Sequence, residues 1–169
     1  MVELVIDASV VLKWYLTDEE FGQEAISILE QHVAGDVALL APTILPYEVL
    51  NALLVAERIG RTAKNVTEEA FYGFAELEIN FQDPFVDYHD ILSFARSFHR
   101  SVYDASYISL AKKNNIDFVT GDKRLYNSVK DKLKWVKWIG DNEYSPNTGG
   151  SQSTLTKGCS DVPDTRSRV

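Results

Sequence analysis

Met1-Val2-Glu3-Leu4-Val5-Ile6-Asp7-Ala8-Ser9-Val10-Val11-Leu12 contains a β-branched apolar run that stops at a carboxylate, after which a second apolar run of helical character begins almost at once. The stretch reads as a buried strand that delivers Asp7 to its C-terminal tip. In open α/β sheets the crevice beyond the carboxyl ends of the strands is where ligands bind, so an acid placed there is a site candidate. The competing reading is that Asp7 only caps the following helix through its side-chain oxygen. The choice turns on whether other carboxylates arrive at equivalent places.

Outward from this stretch the chain alternates strands and helices. Val10 to Leu16 reads as a short helix on the sheet, and Thr17 or Asp18 as the cap of a second helix whose buried face carries Phe21, Ala25, Ile28 and Leu29 and which ends near Gly35. Val37-Ala38-Leu39-Leu40, short, apolar and followed by Pro42, reads as a second buried strand. From Ile44 to Ala56 the chain is apolar on every side except at the Tyr47 hydroxyl, Glu48 and Asn51, which predicts a buried helix whose carboxylate needs a basic or metal partner, or is held protonated where other acids crowd it. Gly60 ends it, Asn65 with Glu68 resembles a capping box for the next helix, and a further amphipathic helix begins at Asp87 after Pro84. Ser101 to Ala111 forms a helix with Asp104 in its first turn; Ile116 to Thr120 is a strand running into Gly121-Asp122. Lys123 to Lys132 is a last helix and Trp135 to Ile139 an edge strand. This alternation predicts an α/β fold with a central parallel sheet.

With 169 residues and 45% hydrophobic content the chain suits one ordinary domain, here residues 1–144, which can bury a core without staples. Residues 145–169 are rich in Ser, Thr, Gly, Pro and Asp and read as a disordered polar tail. Cys159 has no second cysteine to pair with, and Glu3 and Asp7 stand where a secretory signal needs a basic, then apolar, segment. No stretch is apolar enough to span a bilayer, so the expected compartment is the cytoplasm, with no membrane partner. The net charge of −8 disfavours a broad electrostatic grip on nucleic acid, unless part of that charge is a carboxylate cluster neutralised by cations.

Such a cluster is the main chemical expectation. Asp7 and Asp122 leave the same edge of one sheet, while Glu48 and Asp104 begin apolar helices that must pack against it. Singly, each has an ordinary alternative as a cap, a dipole partner or half of a salt bridge. Together, converging carboxylates require cations, and oxygen-only ligands suit Mg²⁺ or Mn²⁺. A site of that kind serves phosphodiester or phosphomonoester hydrolysis. Ser9, Asn51 and Thr120 are expected beside the acids as supporting polar groups. Lys13, Lys112, Lys113, Lys123 and Arg124 are placed near the mouth to hold a phosphate backbone, or else on solvated helix faces. His32, His89 and His99 lack zinc spacing and read as surface residues; no phosphate loop, G-x-S-x-G elbow or Cys–His nucleophile occurs.

Val5-Ile6-Asp7-Ala8-Ser9-Val10-Val11-Leu12-Lys13-Trp14, Pro46-Tyr47-Glu48-Val49-Leu50-Asn51-Ala52-Leu53, Tyr103-Asp104-Ala105-Ser106-Tyr107 and Val119-Thr120-Gly121-Asp122 together resemble a PIN-domain ribonuclease of the VapC toxin type. The resemblance implies a Mg²⁺- or Mn²⁺-dependent endoribonuclease on a three-layer α/β/α sandwich with a central parallel sheet, usually a homodimer, held inactive by a cognate antitoxin whose C-terminal segment lies in the active-site groove. It carries the family's acidic quartet onto Asp7, Glu48, Asp104 and Asp122 as metal-binding and catalytic residues, its hydroxyl residue onto Thr120, and a polar position onto Asn51. The long polar tail has no counterpart in the family. Two rivals remain: a catalytically silent binding module acting through its antitoxin and operator complex, and a phosphatase or DNA-directed nuclease using the same acids.

Overall fold

The computed structural model describes residues 2–141. The predicted tail at 145–169, and the domain boundary before it, lie outside the described residues. Five parallel strands form one sheet in the order β3-β2-β1-β4-β5, with β1 at Val2–Ile6, β2 at Val37–Pro42, β3 at Asn80–Gln82, β4 at Asp117–Thr120 and β5 at Val136–Trp138. The helices are α1 (Ala8–Val11), α2 (Gly22–Val33), α3 (Leu45–Arg58), α4 (Lys64–Ala75), α5 (Tyr88–Phe98), α6 (Val102–Asn114) and α7 (Lys123–Val129). They make the α/β/α sandwich that the resemblance implies, around the parallel sheet that the alternation predicts.

The strand order dictates where a site belongs. From β1 through β2 to β3 the chain steps in one direction; from β3 it returns past β1 to β4 and continues to β5. Right-handed crossovers then put the helices of the two halves on opposite faces. The reversal falls between β1 and β4, so their carboxyl ends splay apart into the crevice where α/β sheets bind ligands. Register aligns Ile6 with Val119, which sets Asp7 beside Thr120.

The core is built around the central strands and α6, with the inner faces of the other helices packed on them. Val5, Ile6, Leu39, Ala41, Phe118 and Val119 are wholly buried, because parallel strands with helices on both faces have no solvated side. Every residue of α6 from Ala105 to Ala111 is buried, including Ser106 and Ser109. That corrects the expectation for α3, which looked fully buried from its composition. Val49 and Leu53 face the core, but Tyr47 is 75% exposed and Leu50 and Val55 are also in solvent. Apolar composition all round does not by itself decide burial; position in the layers does, and α6, which crosses β1, β2 and β4, holds the inner place.

Several local expectations are also corrected. α2 begins after Phe21 in the left-handed region (φ 62°) with no side-chain cap, so neither Thr17 nor Asp18 caps it. Asp18 instead receives both arms of Arg61. α4 begins at Lys64, one residue before Asn65, and the proposed capping box does not form. β3 had no apolar signal: Asn80 and Phe81 are exposed and the strand is three residues long at a sheet edge. β5 occupies the opposite edge, as its mixed alternation predicts. Among the described residues no helix is long and apolar enough to cross a membrane.

Candidate active site

β1 ends at Ile6 because Asp7 turns the chain into α1, its side chain accepting from the Val10 amide at 3.2 Å. Asp7 is therefore the cap that one reading proposed, but its carboxylate does more. Its Oδ2 accepts from the Thr120 hydroxyl at 2.5 Å, and its Oδ1 accepts from the Ser9 hydroxyl. Each hydroxyl in turn accepts from the loop after β4: the Gly121 amide donates to Ser9 Oγ at 2.7 Å, and the Asp122 amide to Thr120 Oγ1 at 3.0 Å. Two parallel relays thus run from backbone amides through hydroxyls to the two oxygens of one carboxylate. They stitch the ends of β1 and β4 together across the switch point.

Asp7 is 8% exposed, and burial raises its pKa from an ordinary 3.8 to about 6, against the pull of its hydroxyl and amide donors; the negative charge of Asp122 adds to the rise. Gly121 is the other requirement of this loop. A Cβ there would stand 2.7 Å from Lys13 Cε and 3.1 Å from the Ser9 carbonyl oxygen, so the backbone approach admits only glycine without rearrangement.

Asp122 caps α7, its Oδ1 accepting from the Arg124 and Leu125 amides at 2.8 and 3.1 Å, which leaves Oδ2 turned outward. Asp104 reaches the same edge because α6 precedes β4 and runs antiparallel to it, presenting its N-terminus at the carboxyl ends of the strands; Ser101 caps that terminus by accepting from the Asp104 amide at 3.0 Å. Glu48 follows β2 in the first turn of α3. It is half-buried with no basic partner among the described residues: the Tyr107 hydroxyl donates to its Oε2. Burial pushes the Glu48 pKa up, and the charges of Asp7 and Asp104 push it further. Tyr107 is held by stacking on Phe118, with ring centroids 5.6 Å apart, and burial together with the Glu48 charge drives its hydroxyl far toward the protonated form.

Glu48 therefore feels the charges of Asp7 and Asp104, and Asp7 that of Asp122. Among the described residues, however, no three acidic, histidine or cysteine side chains close on a single point tightly enough to clasp an ion. The gap between Asp104 and Asp122 is taken by Arg100, whose Nε lies 3.2 Å from Asp104 Oδ2 and whose Nη2 lies 3.4 Å from Asp122 Oδ2. The donor set itself suits a hard divalent cation, being all oxygen, with Glu48 Oε1 and Asp104 Oδ1 receiving no hydrogen bond among the described residues.

Of the predicted site residues, Asp7, Ser9, Thr120 and Asp122 form one hydrogen-bonded unit, with Glu48 and Asp104 coupled to it electrostatically. Asn51 is exposed on α3 and makes no side-chain hydrogen bond among the described residues. Of the residues expected at a basic rim, Lys13 and Lys123 line a cleft with Gly121, and Arg124 is exposed in the first turn of α7. Lys13 is buried with its Nζ 3.3 Å from Glu19, Lys112 and Lys113 pair with Asp90 and Asp87 at the far end of α6, and Lys123 lies over the Trp138 ring. His32 is not a free surface residue: its Nδ1 is 3.0 Å from the Val37 carbonyl. Sequence reasoning missed Arg100 and Tyr107. Their one local signal is spacing, four residues before and three after Asp104, which sets them near it at the start of α6.

Comparison with known proteins agrees with this architecture. The family model described as PIN domain matches residues 4–130. A search of curated proteins finds no match. Among solved structures, the chain is similar to PAE2754 from Pyrobaculum aerophilum, with a TM-score of 0.56 and 22% identity over 82% of this chain and 91% of that one. It is also similar to VapC20 of Mycobacterium tuberculosis, a sarcin-ricin loop cleaving toxin, with a TM-score of 0.55 and 11% identity over 75% of this chain and 95% of that one.

Proposed function

This chain belongs to the PIN-domain family, a family of nucleases, and we propose that it is a Mg²⁺- or Mn²⁺-dependent endoribonuclease acting as the toxin of a VapBC-type pair. The observation that carries the reading is the pair of relays joining Asp7 to the Asp122 loop at the sheet's switch point, with Glu48 and Asp104 facing the same place. Asp7, Glu48, Asp104 and Asp122 would hold the ion or ions. When bound, a divalent cation supplies Lewis-acid stabilisation of a phosphate's charge and makes a water acidic enough to attack at neutral pH.

The chain's own residues do the positioning. Ser9 and Thr120 fix both oxygens of Asp7, so that the carboxylate cannot rotate, while Tyr107 holds one oxygen of Glu48 and leaves the other available. Asp122 uses one oxygen to cap α7 and presents the other to the site. No side-chain nucleophile is required. The likeness to VapC20 supports RNA as substrate and an antitoxin as partner. An apolar groove of about 400 Å³ beside Asp104, lined by Ile44, Phe85, Tyr88, Leu92 and Tyr103, supports a bound peptide segment from that antitoxin. A homodimer acting in the cytoplasm completes the reading.

The alternative, a catalytically silent module working through its antitoxin, is favoured by one observation: Arg100 stands where an ion between Asp104 and Asp122 would be. The deciding test is cleavage of structured and single-stranded RNAs by the partner-free protein in Mg²⁺, Mn²⁺ or EDTA, beside the Asp104→Asn variant. Metal-dependent cutting that disappears in the variant, with its fold intact, is the expected result. Cutting unaffected by EDTA or by the substitution refutes the assignment, and no cutting by folded protein moves the function to the binding module. Competition with DNA and a simple phosphomonoester separates the remaining substrate classes.

A further inference from the structure

Resting on the reading of the four acids as a metal site, we propose that Arg100 is a built-in counter-cation, which balances Asp104 and Asp122 while no divalent ion is held and is displaced when one binds. The residue is set in place by the backbone. His99 ends α5 in the left-handed region at φ 52°, the Arg100 amide donates to the Ala95 carbonyl at 3.0 Å, and Ser101 caps α6 immediately afterwards. The guanidinium is thereby fixed at the mouth by a tight helix–helix corner rather than hung on a long loop.

The quality of its contacts marks it as displaceable. Nε approaches Asp104 too obliquely to donate, so this buried nitrogen has no hydrogen-bond acceptor among the described residues. Nη2 reaches Asp122 only at the outer limit of a hydrogen bond, 3.4 Å. Arg61, at the surface, gives the comparison within one chain: its Nε and Nη2 grip the two oxygens of Asp18 at 2.7 Å each, the forked geometry of a settled guanidinium–carboxylate pair. Arg100 makes no such fork. It spans two carboxylates, each 31% exposed, and satisfies neither well.

Arg100 yields the acids by moving. A dication offers twice the charge in a compact sphere and prefers carboxylate oxygen, whereas the guanidinium spreads one charge over a plane. Exchange is therefore favourable, yet opposed by the positive charge that must leave, so Arg100 sets the ion concentration at which the site fills.

The test is Mn²⁺ binding to the RNA-free, full-length protein, followed by electron paramagnetic resonance of the free ion, for wild type, Arg100→Lys and Arg100→Met. Arg100→Met is expected to bind Mn²⁺ about tenfold or more tighter than wild type, and Arg100→Lys within about threefold of it. Equal or weaker binding by Arg100→Met with a native circular dichroism spectrum overturns the proposal. Should Arg100→Met not fold, the wild type decides: the Arg100 Nε–H resonance in ¹⁵N NMR must shift on titration with Mg²⁺, and a resonance that stays unmoved while the ion binds overturns it. If neither wild type nor variant takes up Mn²⁺, the metal-site reading falls and this one with it. If wild type binds and the variant is no tighter, only the role of Arg100 falls.

Discussion

Replacing Asp7 with Asn should make the metal-free protein more stable while ending its activity. Burial holds the Asp7 carboxyl at a pKa of about 6 instead of 3.8. A group with a raised acidic pKa favours the folded state when protonated; the penalty for ionising it is absent below pH 3.8, grows through the window up to about pH 6, and is complete above that. At about 1.4 kcal/mol for each tenfold change in proton affinity, the full penalty at pH 8 is about 3 kcal/mol, and at pH 5 about half of it. The asparagine amide cannot accept from both Ser9 and Thr120, so one hydroxyl must turn away, which costs about 1 kcal/mol. The net gain is then about 2 kcal/mol at pH 8, or roughly 4–8 °C in melting temperature for a domain of this size, and under about 1 kcal/mol at pH 5. Urea unfolding followed by tryptophan fluorescence in EDTA at both pH values measures it. A variant no more stable than wild type at pH 8, or one whose advantage grows toward acid, refutes the electrostatic account of Asp7. Saturating Mn²⁺ should reverse the order, because only the wild type gains stability from the ligand.

Two further substitutions probe the supporting groups. Tyr107→Phe keeps the stack on Phe118 and removes the donor to Glu48, so stability should fall by about 1 kcal/mol and Mg²⁺-dependent RNA cleavage by about tenfold or more, as kcat measurements alongside circular dichroism will report. Gly121→Ala puts a methyl group against the Ser9 carbonyl and the Lys13 side chain; a loss of about 1–3 kcal/mol in denaturant unfolding is expected, together with weakened cleavage, because the Ser9 hydroxyl is pushed from Asp7.

What was legible in the sequence follows from how each feature is encoded. β1, β2 and β4 are short runs of apolar residues because both faces of a parallel sheet are covered, and that signal is strong in a single sequence. Asp7 and Asp122 could be placed because each ends such a run. β3 could not, since Asn80-Phe81-Gln82 sits at an edge and owes its pairing to β2 alone. The misjudged burial of α3 and the misplaced caps have a common cause. Composition and spacing report what a segment is able to do, whereas Leu50 faces solvent, and Asp18 pairs with Arg61 instead of capping, because of neighbours more than forty residues away or in another layer. Arg100 and Tyr107 escaped notice for the same reason: their partners Asp122 and Glu48 are brought by the fold.

The relays that tie Asp7 to the Asp122 loop also bear on when the centre of the fold can close. β1 is the middle strand of the sheet, and its neighbour β4 is made more than a hundred residues later. Until Thr120 and Gly121 exist, Asp7 has neither of its long-range supports, and a prematurely ended product lacks Asp122 altogether. The two ends of this hydrogen-bonded unit meet only after nearly the whole described chain has been synthesised, so the sheet's switch point is among the last parts of the fold to be completed.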